Sequence, residues 1–215
     1  MGTLERLDTV PMADRETNRV EAFSDGVFAI AITLLILEIH VPRLADGAGN
    51  DALFTATRDL WPSFLAFLLS FFAILIMWVS HHELMRLARR VDYSLLFANG
   101  FLLLMVTFVP FPTAVLAQYL GAKAGNGAVA LYCLSFFVIA IAFILLFTAI
   151  ARKRRLVRPD VSDAALTRVW KAYWFGPIAY AGAAAAAWWS AAAGLGICLA
   201  LWLFWIRLCY QSERR

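Results

Sequence analysis

Six long apolar runs, separated by short polar or small-residue segments, constrain this chain more than any other feature. A helix needs about 20 largely apolar residues to cross a bilayer, because each residue advances it by about 1.5 Å. The runs that meet this length cover residues 20–41, 61–84, 93–120, 128–151, 169–189 and 191–210. We therefore predict an all-α integral membrane protein, with residues 1–215 forming a single six-helix transmembrane domain.

Composition supports a lipid environment over a soluble one. Hydrophobic residues make up 62% of the chain and charged residues only 16%, whereas soluble domains carry about 25% charged residues. The net charge is +4, but the basic residues lie in short loops, which indicates membrane topology and not nucleic-acid binding. The lipid bilayer is thus an expected partner, and nucleic acid is not.

The loops differ strongly in basic charge. Sixteen of the 19 Lys and Arg residues lie in the two termini and in the second and fourth loops, and three lie in the remaining loops. Since basic residues accumulate on the cytoplasmic side, this pattern predicts six spans with both termini in the cytoplasm.

The sequence contains a local signal at two of the helix boundaries. Pro110 and Pro112 are expected to kink or end the third span. Near Ser190 the sequence allows either a tight turn or one long broken segment.

The first run, residues 19–42, reads RVEAFSDGVFAIAITLLILEIHVP and combines polar groups with two distinct faces. At 100° per residue, one stripe contains Phe23, Ile30, Leu34, Leu37 and Val41. The opposite stripe contains Asp25, Ala29, Ile32 and Ile36. An ionisable residue within a span normally has a partner inside the protein. The candidate partners of Asp25 are Arg19, Trp78, His81 and His82.

A plainer interpretation of the same residues stays open. Ser24 or Asp25 would also suit the cap of a helix that begins there. Ile30, Leu34 and Leu37 are residue types that commonly face lipid or pack between helices. Periodicity alone does not separate these interpretations from a functional one.

The string Arg19-x-x-x-Phe23-Ser24-Asp25-Gly26, followed by the run from Phe28 to Glu38, resembles the hallmark of the transmembrane-protein-175 family. This family contains endosomal and lysosomal potassium channels of animals and their prokaryotic homologues. The strings WVSHH (78–82), NGFLLL (99–104) and PFPT (110–113) are also similar. The resemblance covers the first three predicted helices, and the last three match only in hydropathy and placement.

The resemblance implies a potassium-selective, leak-like cation channel in the plasma membrane of a prokaryote. Prokaryotic members have one six-helix unit per chain and assemble as homotetramers, with the first helix lining the pore. The family lacks the TVGYG carbonyl filter, and no such string occurs here. Monovalent cations, above all K⁺, are the expected permeating species. No cofactor, metal site or enzymatic activity is expected.

The resemblance also assigns roles to individual residues. The pore constriction is expected at Ile30, with Leu34 and Leu37 above it, and Thr33 is expected to add hydroxyl groups that support selectivity. A second set would fix the orientation of the first helix without touching ions: Arg19, Phe23, Ser24, Asp25, Trp78, His81 and His82. The two histidines are consecutive, so they point about 100° apart, and the sequence does not decide which of them joins this network.

Two alternative functions remain at this stage. A secondary transporter would use the polar groups of the first helix to bind a substrate, but the chain shows no paired broken helices or inverted repeat. A membrane protein with no transport role is the second alternative. Proton permeation and the stimulus for opening are not determined by the sequence.

Overall fold

The computed structural model describes residues 12–152 and 154–213, with side chains for residues 16–208 apart from Lys153 and Arg155. Within these residues the chain forms eight α-helices. They are α1 (Met12–Leu34), α2 (Asn50–Asp59), α3 (Trp61–Met85), α4 (Tyr93–Phe108), α5 (Pro110–Tyr119), α6 (Gly125–Ala151), α7 (Asp163–Trp189) and α8 (Ala191–Glu213). Two short 3₁₀ segments, Leu35–Glu38 and Arg154–Leu156, follow α1 and α6.

Five segments of the described chain are long and apolar enough to cross a membrane. They are Glu16–Glu38, Trp61–Met85, Tyr93–Tyr119, Gly125–Ala151 and Ala191–Leu208. The sixth predicted span lies in α7, which has 27 residues but is less apolar because Gly, Pro, Trp and Tyr interrupt its alanines. The all-helical membrane fold is therefore found, and the count of six spans stays a prediction.

The helix α6 forms the centre of the chain, and α1 lies at its periphery. Of the most apolar part of α6, 61% is buried within the chain, whereas the corresponding share of α1 is 22%. α1 packs against α3 and α4, while α6 contacts α4, α5, α7 and α8. A large part of α1 therefore has no covering from its own chain.

The third apolar run is divided into α4 and α5 at Val109, which agrees with the kink predicted from its prolines. Pro110 is the first residue of α5, where its missing N–H costs least. The amide of Val109 bonds to the carbonyl of Val106 at 3.1 Å, an i to i−3 bond that tightens the chain before the proline.

The last two helices form an antiparallel hairpin, so the boundary at Ser190 is a tight turn. Ser190 is the single extended residue between them, with φ −152° and ψ 113°. The side chain of Asn126 supports the turn: its Nδ2 donates to the carbonyl of Trp188 at 3.2 Å, and its Oδ1 accepts from the amide of Ala191 at 2.9 Å. Past the turn, Gly194 lies so close to Ala187 that a Cβ there would be 2.5 Å from the Ala187 Cβ.

The loop between α3 and α4 pairs with the loop between α6 and α7. Ala88 and Val157 form an isolated antiparallel bridge. The amide of Arg89 donates to the carbonyl of Leu156 at 2.7 Å, and the amide of Arg158 donates to the carbonyl of Leu87 at 3.0 Å. Two basic loops that are about 70 residues apart in sequence are thus held together at one end of the helices.

Candidate functional site on the first helix

One face of α1 is fixed against the rest of the chain. Ser24, Phe28, Ala31 and Leu35 are at most 2% exposed, and their spacing of four, three and four residues is that of a single helical face. The sequence predicted a stripe of Asp25, Ala29, Ile32 and Ile36 on the side of the helix opposite Ile30. The buried face is rotated away from the centre of that stripe, because Ala29 and Ile36 are exposed.

The face of α1 that carries the predicted constriction is exposed in the chain. Ile30 is 60% exposed, Leu34 43% and Leu37 66%. Thr33 is exposed as well, and its hydroxyl donates to the carbonyl of Ile30 at 2.9 Å. That hydroxyl oxygen therefore keeps its lone pairs for another partner. The exposure agrees with the predicted stripe, while the pore-lining role of these residues stays a prediction.

Behind the exposed face, a buried chain of hydrogen bonds joins α1, α4 and α3. The Ser24 hydroxyl donates to the carbonyl of Val20 at 2.8 Å, so its oxygen is left to accept from Asn99 Nδ2 at 3.0 Å. The amide oxygen of Asn99 is then the partner of His81 Nε2 at 2.9 Å. Ser24 and His81 are 0% exposed and Asn99 is 3% exposed, and buried polar networks of this kind hold helices in one arrangement.

The direction of these hydrogen bonds determines which ring nitrogen of His81 carries the hydrogen. Since the Asn99 oxygen only accepts, His81 Nε2 must carry the hydrogen. His81 Nδ1 has no partner among the described residues. The imidazole ring packs instead against Phe28, with ring centroids 5.4 Å apart. His81 therefore positions α1 through both a hydrogen bond and an aromatic contact.

The carboxylate of Asp25 is bonded to α3, which decides among its candidate partners. Trp78 Nε1 donates to Asp25 Oδ1 at 2.8 Å. Asp25 is only partly exposed and Trp78 is 38% exposed. The contact therefore lies at the edge of the α1–α3 interface, and Asp25 faces its own chain instead of the exposed stripe.

Both histidines of α3 contact the first helix, but at separate places. His82 Nδ1 lies 2.6 Å from Glu21 Oε1, and its ring stacks on that of Trp78 with centroids 6.4 Å apart. Glu21 and Asp25 lie one turn apart on α1, as do His82 and Trp78 on α3. The two antiparallel helices therefore pair turn by turn, with the buried His81 network on the inner side.

Two predicted members of the network have no polar partner among the residues that the structure describes. Arg19 is exposed, and its side chain makes no hydrogen bond or ion pair with the residues that the structure describes. Phe23 is 67% exposed and lies on the same face as Ile30. Their place in the orienting network stays a prediction.

Asn99 and Glu21 were not predicted as site residues, yet both contact α1 or its partners: Asn99 bonds to Ser24 and Glu21 pairs with His82. A signal was present: each is a polar residue in or beside an apolar run, where an internal partner is expected. Within the described part of the chain, no group of three or more His, Cys, Asp or Glu residues is arranged to hold a metal ion.

Residues 19–110 match the family model described as endosomal/lysosomal potassium channel TMEM175. A potassium channel of Chamaesiphon minutus is 44% identical over 191 residues, which cover 88% of this chain and 93% of the relative. A potassium channel of Streptomyces collinus is 48% identical over 157 residues, covering 72% of this chain and 75% of the relative. The crystal structure of a lysosomal potassium-selective channel TMEM175 homologue from Chamaesiphon minutus superposes with a TM-score of 0.80 at 42% identity, covering 91% of this chain and 98% of that one.

Proposed function

Because this chain belongs to the TMEM175 family of multi-pass membrane channels, we propose that it conducts potassium ions selectively across the plasma membrane of a prokaryote. One observation carries the proposal: α1 is fixed on one face by the Ser24–Asn99–His81 network and leaves an apolar face uncovered. A helix held in this way presents the same side chains in every copy of the chain.

The channel is proposed to be a homotetramer, with four copies of α1 around a central axis. The exposed face supports this assembly, because Ile30 is 60% exposed and Leu37 is 66% exposed within one chain, so both side chains are free to contact other copies of α1. In the tetramer Ile30 forms the narrowest ring, and Leu34 and Leu37 form further rings along the axis. Such rings gate ion flow by expelling water when they are narrow and admitting it when they widen.

Selectivity needs a group that replaces part of the water around the ion. Thr33 is the candidate, since it lies on the exposed face of α1 and its proton is held by the Ile30 carbonyl. The hydroxyl oxygen is then an acceptor that faces the pore in each of the four copies. Four such oxygens could replace part of the hydration shell of a cation, as rings of backbone carbonyl oxygens do in other potassium channels. Proton permeation through the same pore is a further expectation.

The proposed topology places six helices in the membrane and both termini in the cytoplasm. It rests on the sixteen basic residues of the termini and the second and fourth loops, against three in the other loops. α7 completes the six, because its 27 residues suffice to span a bilayer and it packs along α6 and α8.

Ion flux through the purified protein in liposomes tests the proposal. A potassium gradient is expected to drive flux that brings the membrane to the potassium equilibrium potential, and a sodium gradient of the same size is expected to drive much less. Chemical cross-linking on the same preparation should give a tetramer. Absence of flux from a preparation shown to be folded and tetrameric would contradict the channel, and flux that requires a co-transported substrate would favour a secondary transporter.

A further inference from the structure

An open pocket of about 370 Å³ lies between the end of α6 and the start of α7. Its apolar wall is formed by Phe147, Ala151, Leu166 and Trp170. Its polar groups belong to Thr148, Arg152, Asp163 and Thr167. We propose that this pocket binds the headgroup and glycerol region of an anionic phospholipid. The pocket is separate from the exposed face of α1 and belongs to each chain on its own.

The pocket lies at the depth where a phospholipid headgroup meets its acyl chains. The apolar span of α6 ends at Ala151, and Arg152 follows directly, so the apolar wall and the charged rim meet at the end of a membrane span. Trp170 is 37% exposed and packs on Phe147 with ring centroids 5.9 Å apart. Tryptophan favours this interfacial level, since its ring is apolar and its N–H requires a polar partner.

The charge balance of the pocket favours an anion. The carboxylate of Asp163 has a basic neighbour, because Arg154 Nη2 lies 3.6 Å from its Oδ1. Arg152 is exposed, and its guanidinium group makes no hydrogen bond or ion pair with any residue whose side chain the structure describes. A guanidinium group binds a phosphate through two parallel hydrogen bonds, so Arg152 is suited to the phosphodiester of a lipid.

The hydroxyl groups of the pocket are already committed as donors. Thr148 donates to the carbonyl of Ile144 at 2.7 Å, and Thr167 donates to the carbonyl of Asp163 at 2.9 Å. Arg152 is thus left as the charged donor of the pocket. A small inorganic anion would fill only the rim and leave the wall formed by Phe147 and Leu166 uncovered, whereas a phospholipid covers both.

The surroundings extend the positive charge beyond the pocket. The bridge between Ala88 and Val157 holds the loop that carries Arg89 and Arg90 beside the loop that carries Arg158. All three arginines are exposed. Basic residues close to a membrane surface attract anionic lipids, so this cluster raises their concentration near the pocket.

Lipid binding by the full-length protein tests the inference. The purified protein in detergent is titrated with phosphatidylglycerol, with phosphatidylcholine and with inorganic phosphate, and bound lipid is counted by native mass spectrometry. Phosphatidylglycerol is expected to bind at least about fivefold more tightly than phosphatidylcholine, as one basic side chain at an anionic headgroup contributes roughly this factor. Arg152→Gln should abolish the preference.

Two further variants sharpen the result. Arg158→Gln removes the same charge from the same loop outside the pocket, and it should keep most of the preference. Thr167→Trp leaves Arg152 in place and fills the pocket from an exposed position, and it should weaken phosphatidylglycerol binding. The inference is overturned if Arg152→Gln and Arg158→Gln behave alike, if Thr167→Trp binds normally, or if millimolar inorganic phosphate displaces the lipid.

The outcome is distinguishable from that of the channel proposal, because the assay does not measure ion flux. A protein that conducts potassium but shows no preference among lipids overturns only the lipid site. A protein that is silent but retains the Arg152-dependent preference overturns only the channel. The topology given under the proposed function places the loop between α6 and α7 in the cytoplasm, and on that topology the pocket lies in the cytoplasmic leaflet.

Discussion

The indole N–H of Trp78 donates to the carboxylate of Asp25 across 2.8 Å, and this bond ties the first helix to the second long helix. The aspartate of the family motif therefore serves the interface between α1 and α3. The neighbouring pair of His82 and Glu21 repeats the same contact one turn away. Within one chain, the charged side chains of α1 that have described partners thus point away from the exposed apolar stripe.

Removal of the Asp25–Trp78 bond should damage stability more than selectivity. Trp78→Phe keeps an aromatic ring but loses the donor, and we expect a loss of about 1 kcal/mol, typical of one hydrogen bond. Asp25→Ala should reduce the yield of tetramer while leaving the potassium-to-sodium ratio of the surviving channels unchanged. Thermal unfolding in detergent, size-exclusion chromatography and reversal potentials provide the measurements.

Trp174→Phe is the matched control for this prediction, since Trp174 is 47% exposed on α7 and its indole N–H has no hydrogen-bond partner among the described residues. It should unfold like the unmodified chain. A well-assembled Asp25→Ala tetramer that has lost its ion preference would show that Asp25 acts on the ion pathway directly.

Wetting of the proposed constriction should raise conductance and relax selectivity. Ile30→Asn places four amides where four apolar side chains expel water, so the closed state should leak. We expect a severalfold larger potassium flux in liposomes and a reversal potential that moves toward zero under mixed potassium and sodium gradients.

Ile36→Asn introduces the same polar group in the 3₁₀ segment that follows α1, at a residue that the sequence places on the stripe opposite Ile30. Ile36 is 52% exposed, so this variant controls for polarity alone. It should conduct like the unmodified channel. Equal currents and reversal potentials for the Ile30 variant and the unmodified protein would remove Ile30 from the constriction.

Loss of one member of the buried network of Ser24, Asn99 and His81 should lower the stability of the protein, because the other members lose their hydrogen-bond partners. Asn99→Leu leaves the Ser24 oxygen and the His81 N–H without partners in an apolar interior, and each such group costs about 1–3 kcal/mol. The melting temperature should therefore fall by many degrees, and tetramer yield should fall with it.

A double-mutant cycle tests whether Ser24 and Asn99 are coupled. Ser24→Ala removes both hydrogen bonds of the Ser24 hydroxyl, to Val20 and to Asn99. In combination with Asn99→Leu it should add less than its separate cost, because the bond that Ser24 shares with Asn99 is already gone. Strict additivity of the two changes in the free energy of unfolding would contradict the network.

The close packing and stability of the hairpin of α7 and α8 should depend on Gly194, which has no side chain. A Cβ at this position would lie 2.5 Å from the Cβ and 3.0 Å from the Cα of Ala187. Since neither atom belongs to a flexible side chain, Gly194→Ala should force the helices apart at a cost of about 1–3 kcal/mol. Gly196→Ala, which meets nothing within 4 Å, should be neutral or slightly stabilising. Equal melting temperatures for the two variants would exclude close packing at Gly194.

The sequence by itself determined the membrane class, the placement of most helices and the face of α1 that the chain leaves exposed. These properties follow from local periodicity and from the length of apolar runs, which depend on neighbouring residues only. Residues 61–84 were predicted as a span, for example, and α3 is Trp61–Met85. α1 begins earlier than predicted, at Met12, and changes to a 3₁₀ segment after Leu34. The length of an apolar run marks the membrane span, and a helix can extend beyond it into polar residues.

Only the tertiary structure decided which polar groups meet. The bond between Ser24 and Asn99 joins residues 75 positions apart, and that between Asp25 and Trp78 joins residues 53 positions apart, distances over which sequence spacing carries no geometric information. The same holds for the two histidines: consecutive residues on α3 point about 100° apart, so only the rotation of α3 against α1 assigns His81 to the buried network and His82 to Glu21. That rotation is set by packing along the whole interface, which no single segment of the sequence contains.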